Sequence, residues 1–256
     1  MLREQLMKRH IGETDGFRWR GQEVTRLEGF SDAVLAFVVT LLVISTEVPK
    51  NFNDLIALFS FSNVGSFAIC FIFLTWLWHS HYIFFRRYGL EDGIVFALNT
   101  AFLFIIALYV YPLKFVFSWL LNGVQIAQPG AALTNTMPIQ VDQIPQLMVI
   151  YGLGLGSLYL TNMGFYVRAY QKRRDLELNR LETHDTVTSI GACCVVIGIG
   201  LVSILIAILG GQAAANWTGL VYLLIMPLMA IYGSYRGRVR HRLATFQAPA
   251  KASAMD

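Results

Sequence analysis

The sequence is poor in charge. Only 14% of its 256 residues are Asp, Glu, Lys or Arg while 55% are apolar, a balance outside the range of ordinary soluble domains. Cysteine is scarce as well: Cys70, Cys193 and Cys194 all fall within apolar runs, so neither a disulfide framework nor a cysteine metal cluster is indicated, and they read as packing residues. The N-terminus lacks a short apolar core followed by a small-residue cleavage site, which argues against a secretory signal. There is no HExxH pattern, and no motif calls for a cofactor. The net charge of +4 arises from short basic clusters between uncharged runs, so nucleic acid is excluded as a partner.

What is present is long apolar stretches. Six of them, at 29–48, 64–85, 94–121, 147–168, 187–209 and 217–235, are each long enough to cross ~30 Å of hydrocarbon. The expected fold is therefore all-α, a polytopic membrane protein with six transmembrane helices, and the lipid bilayer is its first partner. The last two stretches are separated only by GGQAAAN, which reads as a tight turn. Eighteen of the twenty Lys and Arg residues fall in the N-terminal segment, the second and fourth connections and the tail, leaving only Lys50 and Lys114 on the other side. By the positive-inside rule both termini are expected to be cytoplasmic. The expected division is a cytoplasmic segment at 1–25, a membrane domain at 26–242 and a cytoplasmic tail at 243–256. The inner connection QKRRDLELNRLETHD reads as helical extension at the membrane surface.

One carboxylate stands out. Asp32 lies about one turn inside the first stretch, and ionisable groups within a bilayer default to a functional or structural hypothesis. Topology puts Ser31, Trp76, His79 and Asn99 at a similar depth, so these polar groups are expected to satisfy one another between helices. At ~100° per residue, Ala33, Val34, Thr40, Leu41, Ile44 and Val48 fall within about 60° of Phe37, whereas Asp32 falls about 140° away. A path along the Phe37 stripe would thus leave Asp32 aside. Glu47, near the outer end, is a candidate for concentrating cations. Two other classes remain in view. Asp32 and His79 are a candidate proton relay for a proton-conducting pathway or proton-coupled transporter, although no inverted repeat or pair of broken helices accompanies them. A membrane enzyme using Asp32, His79 and His81 is disfavoured, because histidines two residues apart face opposite sides of a helix.

The pattern Arg-x-x-x-Phe-Ser-Asp at Arg26, Phe30, Ser31 and Asp32, followed by TLLV at 40–43, resembles the signature of the transmembrane protein 175 family of lysosomal and bacterial potassium channels. Trp76-x-x-His79, Asn99 and the YVYPLKF segment at 109–115 add to the resemblance. The resemblance implies a passive potassium-selective channel of the bacterial inner membrane rather than an enzyme, with potassium ions passing transiently. It further implies a homotetramer whose first helices line the pore, and no TVGYG filter. The glycine run GLGLG at 152–156 is flanked by bulky apolar residues and reads as helix packing instead. Carried onto this chain, the resemblance places a hydrophobic constriction at Phe37, a hydroxyl layer at Thr40 and further apolar rings at Leu41 and Ile44. Arg26, Phe30, Ser31, Asp32, Trp76, His79 and Asn99 become a signature network anchoring the pore helix. Family members more often carry Ile or Leu where this chain has Phe37, and four aromatic rings would favour a dewetted state.

Overall fold

The first span begins where Thr25, in an extended conformation, accepts a hydrogen bond from the Glu28 amide, satisfying one of the unpaired donors of the first turn. In the computed structural model, which describes residues 13–14, 17–46, 48–126, 141–211 and 215–252, this helix is α1, Arg26–Ile44. It stops four residues short of the expected end at 48. The Ser45 hydroxyl turns back onto the Leu42 carbonyl, and Pro49 follows, which cannot continue a helix. A short helix α2, Phe52–Leu58, comes next, capped by Asn51 and with no buried residue.

Helix α3, Phe61–Tyr88, runs from the Ser60 cap to Gly89, whose φ of 59° closes it in the left-handed region. Helix α4 spans Gly93–Ile126 and contains Pro112. Helix α5, Ile144–Gln171, has Pro145 in its first turn, where a missing N–H costs nothing. Helix α6 covers Arg180–Gly210. The sixth span is broken: α7, Ala215–Leu220, passes through a 3-10 segment, Val221–Leu224, into α8, Ile225–Ala252. Pro227 explains the break, because its ring clashes with the carbonyl four residues back and tightens the preceding turn. Besides the helices, two-residue strands β1, Glu13–Thr14, and β2, Phe17–Arg18, pair antiparallel.

Among the described residues, six segments are long and apolar enough to cross a membrane: 26–44, 61–88, 93–121, 144–171, 180–210 and 218–243. The order is sequential in space. Helix α1 rests in the groove between α3 and α4, α5 packs on α4, α6 on α5, and α8 on α6. The shared core runs through Leu74, Phe84, Phe102, Ile106, Leu158 and Phe165.

The end of the bundle that carries the basic clusters, termed here the inner end, is laced by residues 17–28. Phe17 is fully buried, edge-on to Tyr88 at 5.5 Å and under the Arg87 guanidinium at 4.8 Å. Arg20 forks onto the Glu182 carboxylate at 2.7 and 3.2 Å and also donates to the Leu176 carbonyl. Arg86, on the last turn of α3, donates to the carbonyls of Gly21 and Glu23 and pairs with the buried Glu28 on α1. The Arg20 and Gly21 amides return the contact to the Arg86 carbonyl at 3.1 Å each. So close an approach requires glycine: a Cβ at Gly21 would collide with the Phe85 carbonyl.

The inner connection between α5 and α6 departs from the expected helical extension. Residues 172–177 form turns, Glu177 takes a φ of 48°, and Asn179 and Glu182 form a capping box that starts α6 afresh. Between α3 and α4, Asp92 caps α4 through the Ile94 and Val95 amides and pairs with Arg168 of α5 at 2.7 Å. Burial pushes its carboxyl up, but the Arg168 guanidinium and the two amides outweigh this and hold it below the usual value. A depressed carboxyl adds stability above its unfolded value of 3.8, and that contribution disappears as pH falls through the lower folded value.

Removing one member of the buried Glu28–Arg86 pair leaves the other charge stranded, which typically costs ~3–5 kcal/mol. Glu28→Gln and Gly21→Ala are each expected to lower the thermal unfolding midpoint of the detergent-solubilised protein. A midpoint unchanged in both would show that residues 17–28 contribute nothing to holding the bundle.

Candidate functional site

Helix α1 has two unlike faces. Glu28, Ser31, Leu35, Val38 and Leu42 recur every three or four residues and are buried against α3 and α4. On the opposite side Phe30, Ala33, Phe37, Thr40 and Ile44 are exposed in the protomer, Phe37 by 59% and Ile44 by 65%. Leu41 lies half-buried on the flank. The exposed face is apolar apart from Thr40, whose hydroxyl donates to the Ala36 carbonyl at 3.1 Å. Such a back-bonded hydroxyl keeps oxygen lone pairs for a cation.

The buried face is fixed by a polar network. Ser31 donates to the Leu27 carbonyl at 2.8 Å and accepts from the Asn99 amide of α4 at 2.9 Å. The Asn99 carbonyl oxygen accepts from Nε2 of His81 on α3 at 2.7 Å, so the chemistry assigns the proton to Nε2. The imidazole stacks on Phe102 at 5.4 Å and packs beside Phe85. One polar chain therefore joins α1, α3 and α4.

Asp32 sits on the flank of the buried stripe and accepts from the Trp78 indole at 2.8 Å. Leu35, Val39, Phe71, Leu74 and Thr75 border the same groove between α1 and α3.

These contacts bring together Ser31 and Asn99 as expected but change their partners. Asp32 meets Trp78, not Trp76, and Asn99 meets His81, not His79. Trp76 is 61% exposed and His79 is exposed on the far side of α3. The cause is a helical rotation. The buried stripe of α3 is Ser62, Ser66, Cys70, Leu74, Leu77, His81, Phe84 and Tyr88, and two residues' displacement turns a side chain by ~200°. The small residues Ser62, Ser66 and Cys70, spaced by four, carry the signal that identifies this stripe in the sequence. Arg26 and Phe30 are exposed, while Glu47 lies outside the described residues. Glu28 and Arg86 are further anchors of α1: Glu28 falls in register with the buried stripe, but no signal in the sequence pairs it with Arg86.

His81→Leu leaves the Asn99 oxygen buried and unpaired, and is expected to destabilise the protein by ~1–3 kcal/mol in thermal or chemical unfolding. His79→Leu is expected to change it by less than ~0.5 kcal/mol. The reverse ranking would contradict the assigned network.

Known proteins of the same kind extend the picture. Residues 26–109, which hold α1, α3 and most of the packed part of α4, match the family model described as endosomal/lysosomal potassium channel TMEM175. A curated protein of Marivirga tractuosa named "Potassium channel" is 37% identical over 238 residues, covering 91% of this chain and 96% of that protein. The crystal structure of a variant of the potassium channel MtTMEM175, solved with a nanobody fusion protein, superimposes with a TM-score of 0.76 at 36% identity, over 89% of this chain and all of that one. Identity of this level over almost the whole of both chains, with the six-helix arrangement shared, places the chain in the TMEM175 family.

Proposed function

We propose that the chain is a passive potassium channel made by four copies around an axis, with α1 of each copy innermost. The observation that carries this reading is the exposed stripe Phe30, Ala33, Phe37, Thr40 and Ile44, left unpacked on a helix whose other face is pinned by ion pairs and hydrogen bonds. A single protomer encloses no path along this stripe, so copies related by symmetry must supply the remaining walls. The relatives named as potassium channels supply the ion.

In this assembly Phe37 forms the hydrophobic constriction, Thr40 the hydroxyl layer next to it, and Leu41 and Ile44 apolar rings toward the outer end. No TVGYG loop takes part. Potassium sheds water at an apolar ring at high cost, so conduction is slow and the closed state is dewetted. Both termini and the basic clusters lie on the cytoplasmic side of the bacterial inner membrane, with 26–242 as the channel domain flanked by segments 1–25 and 243–256. Ser31, Asp32, Asn99, His81 and Trp78 hold the pore helix in place and do not touch the ion. The arrangement favours no proton relay through Asp32 and His79, since the Asp32 carboxylate is engaged by Trp78 and His79 lies on another face of α3. No catalytic step is assigned.

Phe37→Ala is expected to raise potassium flux into liposomes at least several-fold by widening and wetting the constriction; unchanged flux would remove Phe37 from the gate. Thr40→Val removes one hydroxyl ligand per subunit, each worth ~1 kcal/mol, and is expected to shift the potassium-over-sodium preference about fivefold or more. A reversal potential in mixed potassium and sodium that does not move would discard the role of Thr40.

A further inference from the structure

Lys114 is one of only two Lys and Arg residues away from the inner clusters, and it lies on α4, inside a membrane span, two residues after Pro112. Its ammonium donates to the hydroxyls of Ser45 and Thr46, at 2.8 Å each, where α1 ends. Both partners are neutral. Among the described residues no carboxylate pairs with it, so its charge is solvated by two hydroxyls and the dipole at the C-terminus of α1. Beside it opens a cleft of about 560 Å³ between α4 and the first turns of α5. Lys114 lines it with Ser45, Tyr111 and Ser118, Phe115, Leu147 and Ile150 line the apolar remainder, and among the described residues no acidic one borders it. Two further clefts border Lys114: one on the α2 side contains Asp54 and is unsuited to an anion, and one lies along the outer end of α1, between Ile44, Leu58 and Phe67.

We propose that the cleft between α4 and α5 binds an anionic phospholipid of the outer leaflet, its phosphate on the Lys114 ammonium and one acyl chain along Phe115, Leu147 and Ile150. Charge complementarity selects the headgroup, since an ammonium in a low-dielectric setting with no carboxylate partner among the described residues gains from a mobile anion. The volume holds a headgroup and part of one chain rather than a whole lipid, and the opening lets the rest remain in the bilayer. Helix α5 packs on α4 and α6 and not on α1, and neither Phe37, Thr40 nor Ile44 lines the cleft, so the lipid lies apart from the exposed stripe of α1. The headgroup then shares Lys114 with the two residues that end the pore helix. It also offsets a ring of positive charges that would otherwise stand near the mouth of a cation path. This last consequence rests on the channel reading, whereas the binding site does not.

A reporter placed in the cleft tests the proposal without measuring ion flux, so its outcome is separate from that of the channel reading. Leu147→Trp adds an indole, and its emission is taken as the difference from the full chain carrying Leu147. The protein is reconstituted in phosphatidylcholine bilayers containing either brominated phosphatidylglycerol or brominated phosphatidylcholine. Brominated phosphatidylglycerol is expected to half-quench the added indole at a mole fraction about fivefold lower, the preference that one Lys near an anionic surface provides. Adding Lys114→Met is expected to bring the two lipids to equality, and Lys114→Arg to retain the preference. Ile150→Trp serves as a second reporter if Leu147→Trp does not fold. Equal quenching by the two lipids with Lys114 intact, or an anionic preference that survives Lys114→Met, overturns the site.

Discussion

The contact on which the rest depends is the buried pair of Glu28 and Arg86. Lipid gives helices little hydrophobic reason to associate, so close packing and polar ties must fix where α1 sits. Glu28 lies one turn above the Thr25 cap, and Arg86 lies on the last turn of α3, so the pair sets both the height and the rotation of α1 against its neighbour. Arg86 further grips the Gly21 and Glu23 carbonyls, which binds the segment before α1 into the same joint. Arg20 and Glu182 then carry the joint across to α6. The inner end of the bundle thus runs from α1 to α6 through two ion pairs joined by the hydrogen bonds of the Arg20 and Gly21 amides to the Arg86 carbonyl.

Fixing the rotation of α1 decides what its other face can do. With Glu28, Ser31, Leu35, Val38 and Leu42 held against α3 and α4, the stripe containing Phe37, Thr40 and Ile44 is left exposed in the protomer. Under the proposed function this apolar face is the surface that meets symmetric copies and lines a path between them. The polar network of Ser31, Asn99 and His81 carries that rotation further into the membrane. Strong ties at the inner end and an apolar stripe beyond them are what a rigid pore wall with a hydrophobic constriction requires.

The architecture was largely legible in the sequence because bilayer thickness translates directly into the length of apolar runs. Span ends were less so: α1 stops at Ile44 because Ser45 and Thr46 turn back to the helix end and to Lys114, contacts that hydropathy does not register. The face bearing Phe37 followed from helical period once the family signature was recognised. Its anchors were only half legible. Ser31 and Asn99 pair as their depth suggests, but depth alone cannot distinguish His79 from His81 or Trp76 from Trp78, because each pair differs by rotation and barely by height. The spacing of Ser62, Ser66 and Cys70 supplies the missing angle. Glu28, Arg86, Arg20 and Glu182 are far apart in the chain and sit among ordinary interfacial charges, so their pairing emerges only from the fold.

The central claim is that four copies surround an axis with α1 innermost and Phe37 facing it. Electron cryo-microscopy of the purified full chain in lipid nanodiscs tests this most directly. A fourfold assembly is expected, in which the narrowest point of the central path is bounded by Phe37, with Thr40 one turn farther out. A dimer, or a tetramer in which α1 is peripheral and Phe37 is covered by lipid, would contradict it.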